Sequence, residues 1–403
     1  MHDDSFIYLD NAATSWPKPP AVARAMAEFL EQSAGNPGRG GHLLARRAAT
    51  VVEETREALA GLVKATDTRR MVLTHGCTDS VNIAIHGTLG FRMRCAPDVK
   101  PSVVVSAIEH NAVLRTVSCY ANEGRVEMRV VPCDEVGRVD PQAMLDACTE
   151  CTALVCLSHA SNALGTFQDV ETVGRGLREV APHALFLVDA AQTIGHVEFD
   201  VEAAGVDLLS IAGHKGLLGP TGTGGLYVGE RAYSEEPDAP KLFCMRRGGT
   251  GIAAPGTEMP TVLPDALEAG TANAVGFAGL LAGIASKRPQ HHDNEMRQTR
   301  RLIEALDAMP GVTRYGLDAN EERTAVVLFN IEGHHPREVA DILDKRHSIA
   351  VRGGTHCAPI AHEAIGTGEA GAVRASPGVG TSDQETNTLV RAVEQIAAAK
   401  TTA

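Results

Sequence analysis

The chain has 403 residues, 44% hydrophobic and 22% charged, enough to bury a sizeable core in one larger and one smaller domain. Its 37 Lys and Arg against 50 Asp and Glu leave a formal charge of −13. That balance argues against nucleic acid or an anionic membrane as partner and favours a small molecule or another protein.

The first residues, MHDDSFIYLDNAATS, contain neither the basic nor the apolar region of a secretory signal. No stretch approaches the roughly 20 apolar residues that span a bilayer. The nine cysteines are scattered and odd in number, which fits a reducing, cytoplasmic setting rather than a disulfide framework. Along the chain, residues 43–65 place Leu44, Ala48, Val51, Val52, Leu59 and Leu62 near one helical face. Buried strands are expected at 71–74, 103–106, 153–157, 185–188, 208–211 and 225–228, with amphipathic helices at 141–148 and 172–180 between them. Residues 250–264, rich in Gly, Pro and Thr, read as a long loop. Helical patterns follow at 273–287 and around 292–309. Then come strand-like 325–331, helical 336–345, strand-like 349–352 and 372–375, and a last helix from 382. The alternation predicts an α/β domain on a mostly parallel sheet, followed by a smaller α+β domain.

Four segments at the ends of expected strands carry chemistry, where open α/β sheets place ligands. Thr74 to Asp79 form a strand, a turn at Gly76 and a helix start with Cys77 and Thr78, an arrangement that binds phosphate but is common without it. Asp189 ends an apolar strand, where a carboxylate either pairs with a cation such as a protonated pyridine nitrogen or caps the next helix. Lys215 sits in the glycine-flanked turn Gly213-His214-Lys215-Gly216, as a Schiff-base lysine must, its pKa lowered so that the neutral amine attacks a carbonyl. The absence of G-x-x-x-x-G-K-[ST] speaks against a P-loop. Cys357, in Arg352-Gly353-Gly354-Thr355-His356-Cys357-Ala358-Pro359, is set for a low pKa and exposure, against the bland alternative of an inert buried thiol. Arg374 is a candidate for bidentate carboxylate capture or for a surface ion pair. Cys148, Cys151 and Cys156 lack a fourth ligand, and the pairs His291-His292 and His334-His335 are adjacent in polar stretches, so no metal is expected.

Together these strings, with Tyr8-Leu9-Asp10-Asn11-Ala12-Ala13-Thr14 and Trp16-Pro17-Lys18-Pro19, resemble the class V aminotransferase group of fold-type I pyridoxal 5′-phosphate (PLP) enzymes. Within it they look most like the short-loop cysteine desulfurases and selenocysteine lyases, over nearly the whole chain. The resemblance implies a large domain with a mostly parallel seven-stranded sheet over 16–265 and a small α+β domain over 266–403 together with 1–15. It implies PLP on Lys215, Asp189 at the pyridinium, Gln192 and Asn162 near the phenolic oxygen, and His110 over the ring. Gly76, Cys77, Thr78 and His214 would serve the phosphate, with Thr271 reaching in from the second subunit of a homodimer. Asn11, Ala12, Asn162, Arg352 and Arg374 would face a small amino-acid substrate. Cys357 matches the nucleophile that takes sulfur, or selenium, as a persulfide while alanine leaves; Lys215 and His110 complete the catalytic set. A sulfur-acceptor protein is a possible partner. Three departures stand out: Ala212 where relatives often carry Ser or Thr, Cys77 where a small residue or Thr is usual, and Pro377-Gly378-Val379-Gly380 after the arginine. Transaminases, epimerases and C–S β-lyases share the scaffold and stay open as alternatives.

Overall fold

The structure is a computed structural model that describes residues 6–38, 41–235, 242–251 and 257–399. The short strand β1 (Ile7–Tyr8) and helices α1 (Pro20–Gln32) and α2 (Leu43–Leu62) precede the larger sheet. That sheet is built from β2 (Met71–Thr74), β3 (Ser102–Ser106), β4 (Glu127–Val131), β5 (Thr152–Ser158), β6 (Leu185–Asp189), β7 (Leu208–Ala212) and β8 (Gly224–Val228). Helices α3 (Cys77–Cys95), α4 (Asn111–Asn122), α5 (Pro141–Asp146) and α6 (Val170–Val180) connect its strands. The strand order is β2-β8-β7-β6-β5-β3-β4, parallel except for β8, which runs antiparallel to both neighbours.

The sequence explains this arrangement. Every residue of β2, β3, β5, β7 and β8 is buried, as strands covered on both faces must be. Alternate side chains enter two cores: Val104, Val155, Phe186 and Leu209 on one face, Val103, Val105, Leu154 and Leu187 on the other. Cys156 belongs to the second core and is wholly buried, which takes it away from Cys148 and Cys151 as a ligand partner. Strand β4 escaped the sequence reading because Glu-Met-Arg-Val-Val has no clean apolar run; it is the half-exposed edge strand, where such a mixture belongs. Helices start where short polar side chains cap them: Asp140 accepts from the Gln142 N–H and Asp169 from the Thr172 N–H. Helix α7 (Ala274–Ala285) is apolar nearly all round and packs under α1 and α2.

The C-terminal part contains α8 (Pro289–Asp307), β9 (Val312–Tyr315), β10 (Val327–Ile331), α9 (Pro336–His347), β11 (Ile349–Ala350), β12 (Arg352–Gly354), α10 (Pro359–Ala364), β13 (Ala372–Ala375) and α11 (Asp383–Ala399). Four of its strands make an antiparallel sheet in the order β12-β13-β10-β9. The single strand expected at 349–352 is in fact two. Ile349 and Ala350 pair in parallel with β1, whereas Arg352 to Gly354 pair with β13, so the chain changes sheets at Val351. Of the loop expected at 250–264, residues 252–256 lie outside the described residues. Among the described residues no helix is long and apolar enough to cross a membrane.

A buried ion pair fixes the segment after that loop. The Arg56 guanidinium, on α2, donates to both Glu268 oxygens at 2.6 and 3.0 Å and to the Met71 carbonyl, while Glu268 also accepts from the Leu73 N–H at 2.6 Å. The Arg56 side chain is only 3% exposed, so removing Glu268 leaves a buried charge with only the half-exposed Glu53 as counter-ion. Glu268→Ala is expected to lower unfolding free energy by about 3–5 kcal/mol in urea titrations; a loss below ~1 kcal/mol would show that water reaches Arg56.

Candidate active site

Strands β2, β3, β5, β6 and β7 all end at the same edge of the larger sheet, because β8 reverses twice. Their C-terminal ends supply Gly76, His110, Ser158, Asp189 and Lys215, and Thr221 and Gly222 lead into β8 from the same edge. The result is a cavity of about 620 Å³, closed on its far side by Arg352, His356 and Arg374 from the smaller sheet and by Ala12 and Ala13 from the N-terminal segment.

Lys215 lies in a turn with no spare room. A Cβ on Gly216 would stand 2.5 Å from the Ile194 carbonyl oxygen and 2.7 Å from His196 Nε2, so only glycine lets these backbones meet. Burial lowers the Lys215 pKa, against the raising effects of Cys77 and Asp189. Asp189 is buried, and its Oδ1 accepts from the Ala191 N–H at 2.9 Å and from Cys77 Sγ at 3.1 Å. Ser210 Oγ lies 3.2 Å from Cys77 Sγ; burial, then Asp189, push the thiol pKa far up, so it stays a neutral donor to Asp189. His110 is lowered by burial and caps α4 by accepting the Ala112 N–H at Nδ1, which puts the proton of the neutral ring on Nε2. Burial, with Lys215 and Lys18 beside it, brings His214 down to about 4, and its Nδ1 is buried with no partner.

The opposite wall is held by arginines. Arg374 is 1% exposed; it donates to Asp10 Oδ1 at 2.6 Å and to the Asn162 carbonyl at 2.9 Å, while its Nε has no partner. The surface ion pair considered from sequence is therefore replaced by a buried one. Arg352, opposite Arg374 across β12 and β13, reaches Cys357 Sγ at 3.4 Å. His356 and Cys357 both have left-handed backbone, φ 53° and 61°, which side chains other than glycine adopt at a cost. Two hydrogen bonds tie the carbonyls of this turn to the larger domain: Asn162 Nδ2 donates to the His356 carbonyl at 2.6 Å and the Asn111 N–H to the Cys357 carbonyl at 2.7 Å. His356 continues through His362 to Thr367, at 3.0 and 2.7 Å.

Of the residues singled out in the sequence, Gly76, Cys77, Thr78, His110, Asn162, Asp189, Gln192, His214, Lys215, Ala12, Arg352 and Arg374 line the one cavity. Three do not. Asn11 spends its side-chain amide on the Ser376 and Tyr8 carbonyls and accepts the Trp16 N–H, which makes it a bracket for the N-terminal segment. Cys357 is not among the lining residues, although Arg352, which is, reaches its Sγ. Thr271 borders a separate cavity of about 190 Å³ with Arg56, Glu268 and His75. Sequence reasoning missed Ser158, Thr221, Gly222, His356 and, beneath them, Glu109. Glu109 is fully buried and accepts from Ser106 Oγ, the Ser158 N–H and Ser158 Oγ at 2.5, 2.7 and 2.9 Å. The signal available was a carboxylate directly after the apolar run 103–108.

The pattern fits a phosphate-bearing cofactor with a ring nitrogen. Helix α3 begins at Gly76 without a side-chain cap, leaving its first amides free for an anion. The orphaned His214 Nδ1 and the buried carboxylate of Asp189 add a donor or acceptor and a counter-charge on the same cavity. The aminotransferase class-V family profile matches residues 7–389. The chain is 40% identical over 402 residues to the "Probable cysteine desulfurase" of Methanothermobacter thermautotrophicus, covering 97% of this chain and 94% of that protein. It is 31% identical to the cysteine desulfurase of Pectobacterium carotovorum, covering 96% and 92%. Among solved structures it is similar to the apo cysteine desulfurase of Thermococcus onnurineus, with a TM-score of 0.87 and 32% identity over 98% of this chain and 95% of that one.

Burial raises the Glu109 pKa from 4.5 to about 7, only partly offset by its hydroxyl and amide donors. The folded chain thus holds this proton more tightly than the unfolded chain, so Glu109 makes stability fall as pH rises from about 4.5 to about 7. Between pH 5 and pH 8 the wild type should lose roughly 2–3 kcal/mol more than Glu109→Gln, read from urea unfolding. Parallel pH profiles for the two proteins would refute the assignment.

Proposed function

The chain belongs to the class V aminotransferase family, and from that premise we propose that it is a PLP-dependent cysteine desulfurase converting L-cysteine to L-alanine with a persulfide left on Cys357. The same reaction on L-selenocysteine would deliver selenium. One observation carries the reading. Half-buried Lys215 and buried Asp189 converge on a cavity whose opposite wall, Arg352 and His356, belongs to the turn that bears Cys357.

The residues fit the cofactor. Lys215 would bind its carbonyl carbon, Asp189 would hold the ring-nitrogen proton and His110 would lie against the ring. The phosphate would take the α3 amides, Thr78 and His214, and Gln192 and Asn162 would approach the phenolic oxygen. When bound, PLP supplies an electron sink for the charge that develops at the substrate Cα.

The rest of the chemistry belongs to the chain. Lys215, its charged form disfavoured by burial, takes the Cα proton. Arg374 presents its free Nε and Arg352 its guanidinium to the substrate carboxylate. Ala12 leaves the space beside them open. Cys357, carried by a strained turn next to Arg352, attacks the substrate sulfur as thiolate. The S–C bond breaks as the new S–S bond forms, and the released carbon fragment is protonated to alanine.

The boundary between the two parts is placed at 265/266, with residues 1–15 joined to the second; pairing of β1 with β11 supports that grouping. The protein is read as a homodimer in which Thr271 serves the second subunit's phosphate. In support, Thr271 lines a cavity other than its own chain's main one, and His75 borders both. A sulfur-acceptor protein would then unload Cys357.

Incubation of the PLP-loaded enzyme with L-cysteine should yield alanine and a one-sulfur mass gain on the Cys357 peptide. Cys357→Ala should release sulfide at least ~100-fold more slowly; release at the wild-type rate would remove Cys357 from the mechanism. Lys215→Ala should lose the yellow absorbance of the lysine-bound cofactor, and retention of that band would mean that another amine holds it.

A further inference from the structure

Behind the Lys215 turn lies a second set of side chains that the reaction does not use. His196, in the turn after β6, meets His292 and Glu295, which stand three residues apart on one face of α8. Their ligand atoms all lie within 4.8 Å of one another. His196 Nδ1 is 3.0 Å from Glu295 Oε2, and the two side chains are 19% and 4% exposed. His292 Nδ1 is buried and has no hydrogen-bond partner.

We propose that His196, His292 and Glu295 form a binding site for a divalent transition-metal ion, with zinc as its natural occupant. Two imidazoles and one carboxylate are a donor set that zinc prefers, and three protein ligands leave a fourth, open position. Ligand atoms about 2.0–2.1 Å from a tetrahedral ion stand roughly 3.3 Å apart, close to the separation of His196 Nδ1 and Glu295 Oε2. His292, the third ligand, has its donor atom within 4.8 Å of both, so that coordination would need a small shift of its ring. His196 and Glu295 also border a cavity of about 30 Å³ shared with Gln192 and Lys215, room for one water on the open position.

The charge balance is permissive. The ion would neutralise Glu295, a buried carboxylate whose hydrogen-bond partner is otherwise His196 alone among the described side chains. The cation facing Glu295 is Lys287, and burial disfavours its charged form. His291, next in sequence, is not part of the cluster, which makes it an internal control.

Occupancy would matter to the neighbouring site. The His196 ring packs against Gly216, immediately after Lys215, so an ion on His196 ties α8 to the lysine turn. The site does not depend on the reaction proposed above, and its test reads metal binding rather than turnover.

The test uses full-length, PLP-loaded protein treated with chelator, desalted and titrated with Co²⁺, with Zn²⁺ as competitor and no thiol present. The wild type should retain one equivalent through gel filtration, with a visible d–d spectrum of nitrogen and oxygen ligands and no thiolate charge-transfer band. His292→Ala and Glu295→Gln should each weaken binding at least ~tenfold, and His291→Ala should bind as the wild type does. Zn²⁺ should raise the Tm of wild type and His291→Ala but not of His292→Ala. Failure of the wild type to retain the ion, a thiolate signature in its spectrum, or equal binding by a folded His292→Ala would each overturn the proposal.

Discussion

The buried guanidinium of Arg374 holds together three parts of the chain that are far apart in sequence. It grows from β13 in the smaller sheet, grips the Asp10 carboxylate of the N-terminal segment and donates to the Asn162 carbonyl beyond β5. A charge buried this deeply is tolerated only with its partners in place, and removing one leaves the other exposed to the low-dielectric interior. Asp10 therefore cannot drift, and the Ala12 N–H, fixed on Ser376 Oγ at 2.9 Å, keeps that segment against the cavity. Asn162, in turn, holds the His356 carbonyl. The wall opposite Lys215 is thus assembled by one arginine and the groups that satisfy it.

Around this bracket the electrostatics are selective rather than generally charged. His110, His214, His356 and His362 all have lowered pKa values, with burial the first cause in each. Neutral rings offer directional donors and acceptors without adding charge. On this wall positive charge is left to Arg352 and Arg374, both of which line the cavity. On the sheet side, Asp189 gathers an amide and the Cys77 thiol, so its carboxylate is oriented by two donors.

Much of this was legible in the sequence, for physical reasons. Doubly covered strands are continuous apolar runs, so the central strands of the larger sheet appear within a residue or two of their true ends, and the residues just past those ends are the ones that line the cavity. Strand β4 and helices α1 and α4 were not visible, because an edge strand and partly covered helices carry mixed patterns. The division at Val351 is set by which partner each half finds, β1 or β13, and no local pattern encodes that choice. Asn11 looked like a ligand because its motif accompanies ligands, yet its amide is consumed by backbone carbonyls. Glu109 was overlooked because a carboxylate after an apolar run reads as a boundary, not as a fully buried group with three donors. His292 was set aside because adjacent histidines point apart; it is His292 alone, not the pair, that meets residues from another element.

The crowding around the lysine turn has a bearing on how such a protein can diversify. Gly213 lies against Thr223, Gly216 against Ile194 and His196, and Gly219 against Leu280, so side chains larger than hydrogen are excluded at three places within seven residues. Heritable change in this turn meets packed neighbours on every side, and the second wall is crowded in the same way at Gly353, against the Pro336 backbone, and at Gly378, against Asn11. New substrate preferences in descendants of this chain would therefore have to arise at side chains that line the cavity, not at these glycines.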